Sequence, residues 1–154
     1  MRKSAFGIVL CLLTISVQAQ SYVDLGLPSG TLWKSQNEEN NFCTYQQAIA
    51  LFGDSLPSAD QWNELSICRW EWTGNGYKII GTNGQFIVLP TEGYRIDDGS
   101  IIGVKLYGHY WSSTIDNKYG DLGNAFSFYF DQNEMYVDSN SRKWGLSIRC
   151  VKHP

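Results

Sequence analysis

Two helix-start signatures, each leading into an apolar stripe at helical spacing, stand close together in the first half of the chain. Thr44-Tyr45-Gln46-Gln47 and Ser58-Ala59-Asp60-Gln61 each set a hydroxyl three residues before a glutamine. In that pattern the hydroxyl accepts the third amide of the helix while the glutamine reaches back to the cap. The first opens an apolar recurrence at Tyr45, Ala48, Ile49 and Phe52 that Gly53 closes; the second follows Pro57, carries Trp62 and Leu65, and ends near Ile67. Beyond Arg69 the period changes from helical to alternating. The chain is therefore expected to place two short helices early and strands after them, an α+β arrangement.

The strand readings follow from turn residues between short apolar runs. Tyr22-Val23-Asp24-Leu25 and Thr31-Leu32-Trp33 flank a Gly/Pro/Ser turn. Trp70 and Trp72, then Tyr77 to Ile80, then Phe86 to Leu89 form a predicted meander, with Gly74-Asn75-Gly76 and Thr82-Asn83-Gly84 as its turns. Ala125 to Phe130, Met135 to Val137 and Leu146 to Val151 read as later strands, separated by turns at residues 131–133 and 138–141. Residues 91–124 are rich in Gly, Asp and Tyr and read as one long loop. Loops of that length carry binding groups more often than packing does.

Residues 1–19 have the form of an export signal: Arg2 and Lys3, an apolar run from Ala5 to Val17, and Val17-Gln18-Ala19 as a small-residue cleavage site. Cys11 lies inside that apolar run, after Leu10, and is read as a passive signal residue. Cleavage after Ala19 leaves residues 20–154 as a single domain and changes the net charge from −3 to −5, with 10 basic against 15 acidic residues. No basic stripe is present, which argues against a nucleic-acid partner. The apolar run falls short of the roughly 20 residues a spanning helix needs, so the mature chain is not expected to insert in a membrane. The expected location is periplasmic, outer-surface or secreted.

Several ordered segments together resemble a family of secreted Bacteroidetes and Fibrobacter proteins, the Fibrobacter succinogenes major paralogous domain. They are Tyr22 to Trp33, Leu56-Pro57-Ser58 with Trp62, Cys68 with Trp70 and Trp72, Gly76-Tyr77-Lys78, Leu89-Pro90 with Gly93-Tyr94-Arg95, Tyr110-Trp111-Ser112-Ser113, and Gly145-Leu146-Ser147-Ile148-Arg149. The resemblance implies a C-type lectin-like fold, shared with formylglycine-generating enzymes: two helices packed on a twisted antiparallel sheet, a long loop region and near-adjacent termini. The chain departs from the family pattern at Lys34-Ser35-Gln36-Asn37 and at Arg149-Cys150-Val151.

Three cysteines remain after the signal: Cys43, Cys68 and Cys150. Strand parity turns Cys150 toward the core, Cys43 precedes a helix expected to pack there, and lectin-like folds commonly tie the first helix to the last strand. A Cys43–Cys150 disulfide is the expected pairing; three buried thiols and a Cys43–Cys68 pair are the alternatives. Their spacing matches neither a CxxC redox pair nor a zinc knuckle, and His109 and His153 have no partner at a metal-ligand interval.

No catalytic set is read from the sequence. Ser112 and Ser113 lack a nucleophile elbow, and His109 lies too near them in sequence to act as their base. The calcium-dependent sugar triplets of lectins are missing. Asp97, Asp98, Asp116 and Asn117, with Asp121 and Asn124, offer the oxygen ligands calcium prefers, but in no recognised loop spacing. No metal and no cofactor are therefore expected. Trp33, Trp62 and Trp111 are expected in the core, and Glu71 on the solvent side of its strand.

Tyr107, Tyr119, Tyr136 and Trp144 suit either packing or recognition, since aromatic rings stack on sugar C–H groups and anchor interfaces. With Asp97, Asp98, Asp116, Asn117 and Arg142 they form the candidate ligand-binding set. The expected function is an exported, non-enzymatic module that recognises a glycan or protein through residues 91–124. A structural or adhesin-like surface component and a formylglycine-generator-like oxidase are the alternatives.

Overall fold

The computed structural model describes residues 21–39, 42–120 and 123–154. The export signal and Cys11 lie outside the described residues. The architecture is mixed α+β, with two short helices and several antiparallel sheets. Among the described residues no helix is long and apolar enough to cross a membrane.

Both helices start where their caps predict. Helix α1 (Tyr45–Phe52) opens on Thr44, whose hydroxyl accepts from the Gln47 amide at 3.3 Å while Gln47 Oε1 accepts from the Thr44 amide at 2.9 Å. Helix α2 (Ala59–Glu64) repeats the exchange between Ser58 and Gln61 at 3.1 and 2.8 Å, and a 3-10 turn carries it to Ile67. Each cap is worth about 1 kcal/mol. Tyr45 and Ala48 are buried as the stripe predicts, whereas Ile49 sits at its margin and remains exposed.

Strands β1 (Tyr22–Asp24) and β2 (Leu32–Lys34) pair antiparallel, and the last strand, β11 (Val151–Lys152), joins the other edge of β2. The two ends of the described chain thus meet in one sheet. The predicted meander is present as β3 (Arg69–Trp72), β4 (Gly76–Ile80) and β5 (Phe86–Pro90). Glu71 faces solvent, paired with Arg69.

The 91–124 span differs from the long loop expected. It holds a short hairpin, β6 (Tyr94–Arg95) with β7 (Ile101–Ile102), and then the nine-residue strand β8 (Gly108–Asp116). β8 pairs with β9 (Asn124–Phe130), and β9 with β10 (Met135–Ser141). Glycine, serine and aspartate in this span disguise a strand whose hydrogen-bonding comes from tertiary neighbours rather than from β propensity. For the same reason the turn expected at residues 138–141 is instead the end of β10, and the chain reverses at residues 142–144.

Residues 145–150 are not the continuous strand expected. They form a junction that binds three segments. Gly145 and Arg95 exchange both backbone bonds at 2.8 Å, Leu146 pairs with Cys43, and Ser147 bonds to His109 and Trp111 of β8. A side chain at Gly145 would place Cβ 2.5 Å from Phe42 O, so only glycine permits this approach. Arg149 secures the junction from within. It is 1% exposed and donates to Asn37 Oδ1, to the Lys34 carbonyl and to the Val88 carbonyl.

Neighbouring residues of a strand alternate faces. On one side of the β8–β9–β10 sheet Tyr110 and Phe128 accordingly meet Trp62 of α2 and Phe130 meets Trp70 and Tyr77 of the meander, while Trp111 and Ala125 meet Tyr45 and Ala48 of α1 on the other. Trp33, Trp62 and Trp111 are fully buried, as expected.

The cysteine pairing is corrected. Cys43, Cys68 and Cys150 are buried thiols, and no disulfide joins them. Cys43 lies opposite Leu146, with N–H···O bonds of 3.1 and 3.0 Å, which leaves Cys150 four residues further along. Along extended backbone that is about 13 Å, against about 4.4–6.8 Å between the Cα atoms of a disulfide. Cys68 belongs to the other core cluster. Burial raises all three thiol pKa values, that of Cys150 to about 12 with help from Glu38.

Candidate recognition site

The register of the β8–β9–β10 sheet sets His109, Tyr129 and Tyr136 side by side across three strands. This is the part of the sheet face that α1 does not reach, and aromatic side chains gather over it. Tyr129 packs on Tyr136 at 5.2 Å and on Tyr107 at 5.7 Å, centroid to centroid. Tyr94 stacks on Trp144 at 5.2 Å, and both turn toward the His109 ring, at 4.9 and 6.3 Å. Tyr107 packs against Gly103, where a Cβ would fall 2.0 Å from the ring. Tyr136 is 42% exposed; Tyr94, Tyr107, Tyr129 and Trp144 are each half-buried. The result is a continuous aromatic surface around one histidine.

His109 itself is only 3% exposed. Its Nε2 lies 2.9 Å from Ser127 Oγ and 3.1 Å from Asn140 Nδ2, and Asn140 also donates to Ser127 Oγ at 2.9 Å. Nδ1 is buried without a hydrogen-bond partner. An orphaned buried donor or acceptor costs about 1–3 kcal/mol, so this atom stands out in a core whose other polar groups are mostly met. Burial lowers the His109 pKa to about 3. A base that weak does not deprotonate a serine at neutral pH, and Ser127 is fully buried. The trio is thus a polar support beneath the rings and not a nucleophile–base pair.

Beside Tyr129 and Tyr136 the rim of the aromatic face is acidic. Asp131 accepts from the Tyr129 hydroxyl at 3.3 Å. The Tyr136 hydroxyl is raised in pKa, first by desolvation and then by Glu134, Asp138 and Asp131. On another side, Ile101, Val104 and Leu106 project into solvent from the segment that leads into Tyr107.

The predicted ligand-binding residues divide between places. Tyr107, Tyr136 and Trp144 come together on the aromatic face. Asp97 and Asp98 are exposed in the β6–β7 turn, where Asp98 Oδ1 accepts the Ser100 amide at 2.7 Å. That hairpin reaches the chain next to Trp144 through the Arg95–Gly145 bonds. Asp116 and Asn117 lie at the opposite end of β8, where Asp116 accepts from Ser139 Oγ at 2.5 Å and from the Lys118 amide at 3.0 Å. The Ser139 hydroxyl holds the Asp116 carboxyl below its usual pKa range. Arg142 is at that end too, donating to the Asn124 carbonyl at 3.1 Å. The Tyr119 side chain and Asp121 lie outside the described residues. Among the described residues no group of three or more His, Cys, Asp or Glu side chains is placed to hold a metal.

Tyr94, Tyr129, His109, Ser127 and Asn140 are the members that sequence reasoning missed. Strand parity carries the missing signal, because pairing β8, β9 and β10 in register aligns His109 with Tyr129 and Tyr136. Ser112, weighed as a nucleophile, instead donates to the Phe126 carbonyl at 2.7 Å and accepts the Thr114 amide. Comparison with protein families, with curated proteins and with solved structures finds no match to this chain.

Proposed function

We propose that this chain is an exported, non-enzymatic recognition module of C-type lectin-like architecture, allied to the Fibrobacter succinogenes major paralogous domain proteins, and that it binds a glycan or protein ligand on its aromatic sheet face. The architectural part is supported by two helices flanking an antiparallel sheet and by first and last strands that share β2. The single observation that carries the functional part is the run of five partly exposed rings, Tyr129 and Tyr136 on the sheet face with Tyr94, Tyr107 and Trp144 over or beside it. Rings of this kind present a large contact area with few rotatable bonds, so little entropy is lost when a ligand covers them. The contact surface therefore moves from the whole 91–124 span to the sheet face, with Tyr94 and Tyr107 as that span's contribution.

Trp144→Ala and Tyr136→Ala test this reading against Asp116→Ala at the far end of the sheet. Binding to immobilised glycans and to candidate surface proteins is expected to weaken about tenfold or more in the two ring variants and to stay unchanged in the third. Equal binding by all three variants overturns the assignment of the face.

A further inference from the structure

We propose that the ligand of the aromatic face is a neutral carbohydrate, and that His109 selects it: a sugar hydroxyl accepts the Nδ1–H of His109 when the Trp144 side chain moves off Tyr94. The inference rests on the recognition reading above and names its ligand class.

The first step is the proton's position. The Asn140 amide nitrogen that faces His109 Nε2 is a donor, so Nε2 accepts, and a neutral imidazole that accepts at Nε2 carries its hydrogen on Nδ1. That N–H is the buried group without a partner. It belongs to a ring walled by Tyr94, Tyr129 and Trp144, all nearly perpendicular to it, at 83°, 80° and 77°. Of these walls Trp144 is placed to move. It follows β10 in a turn whose backbone is held by the Trp144 amide on the Ser141 carbonyl at 3.0 Å, so its half-buried indole can rotate while the chain stays in place.

The second step is the chemistry of what fits. Flat ring faces suit C–H groups, the carboxylates of Asp131, Glu134 and Asp138 can accept hydroxyl protons, and the imidazole N–H needs an acceptor. A polyol supplies all three at once. An anionic ligand meets the acidic rim, and a cationic side chain suits rings and carboxylates but has nothing to accept the imidazole proton.

The test uses the full mature chain with soluble neutral polysaccharides (galactomannan, xyloglucan, arabinoxylan and mixed-linkage β-glucan), with polygalacturonate and polylysine as charged probes. Affinity gel electrophoresis is expected to show binding to at least one neutral polymer, weakened about tenfold or more in His109→Phe. Nitrogen NMR of the wild-type imidazole is expected to show Nδ1 shifting as that polymer is added, a readout that stands even if His109→Phe does not fold. Binding unchanged in His109→Phe with a static Nδ1 resonance overturns the role of His109. Preference for either charged probe, or binding to no neutral polymer, overturns the ligand class. The recognition reading itself fails separately, when Tyr136→Ala binds its ligand as the wild type does.

Discussion

The two faces of the β8–β9–β10 sheet carry aromatic side chains at alternate positions of the same strands, yet the rings have different fates. On one face Tyr110 and Phe128 are sealed by Trp62, which stacks parallel on Phe128 at 4.8 Å and 2° and donates its indole N–H to the Trp111 carbonyl at 3.2 Å, and Phe130 is sealed by Trp70 and Tyr77 of the meander. On the other, Tyr129 and Tyr136 are covered by no helix, and only Tyr94, Tyr107 and Trp144 lie over or beside them. What separates a core ring from a surface ring here is the element that crosses above it, α2 and the meander in one case and turn side chains in the other.

Removing the crossing element's main side chain is the strongest way to break that contrast. Trp62→Ala is expected to cost about 3–5 kcal/mol in urea unfolding, the range for deleting a large buried aromatic. Tyr136→Ala, on the open face, is expected to cost less than about 0.5 kcal/mol. Comparable losses from the two would mean that the outer face is packed as tightly as the inner one.

His109 gives the contrast a pH signature. Its folded pKa, about 3, is depressed from the usual 6.5, so below pH 6.5 the unfolded chain takes up a proton that the folded chain refuses. The contribution of neutral His109 is complete above pH 6.5 and declines as pH falls toward 3. The slope of one group is about 1.4 kcal/mol per pH unit, or about 2 kcal/mol between pH 6.5 and 5. Urea titrations of wild type and His109→Phe over that interval are expected to differ by this slope. Parallel curves would mean that the imidazole is hydrated and that the outer face is open to water.

Much of this arrangement was legible before the fold was known, and the boundary is physical. Both helices were readable because a capping box is a local contract between residues three apart, and the meander because Asn83-Gly84 specifies its own turn. β8 was hidden because residues 108–116 become a strand through bonds to Ala125–Phe130 on one side and Ser147 on the other, both distant in sequence. The binding set was half legible for the same reason. Tyr107, Tyr136 and Trp144 could be suspected as large aromatics, but their companionship with His109 and Tyr129 is a property of register. Asp116 and Arg142 were grouped with them by residue type, and pairing places them at the other end of the sheet.

The smallest expected effect concerns the sulfur atoms, where one reading of the sequence expected a covalent tie between the helix and the closing segment. The structure offers hydrogen bonds there instead: Cys43 to Leu146 and Lys34 to Cys150, each through backbone. A Cys43–Cys150 disulfide would contribute about 2–5 kcal/mol and make thermal stability sensitive to reductant. With thiols in its place, dithiothreitol is expected to shift the melting temperature by less than about 1 °C, since 1 kcal/mol moves a domain of this size by a few degrees. Thiolate is the reactive form, and burial holds the Cys150 thiol near a pKa of about 12. Iodoacetamide at pH 8 should therefore spare the folded protein and, after denaturation without reductant, label all three of Cys43, Cys68 and Cys150 by intact mass. A denatured mature chain that takes up one label carries a disulfide after all, and peptide mapping that finds it between Cys43 and Cys150 would mean that the outer-face helix is fastened covalently while the inner-face helix is held by packing alone.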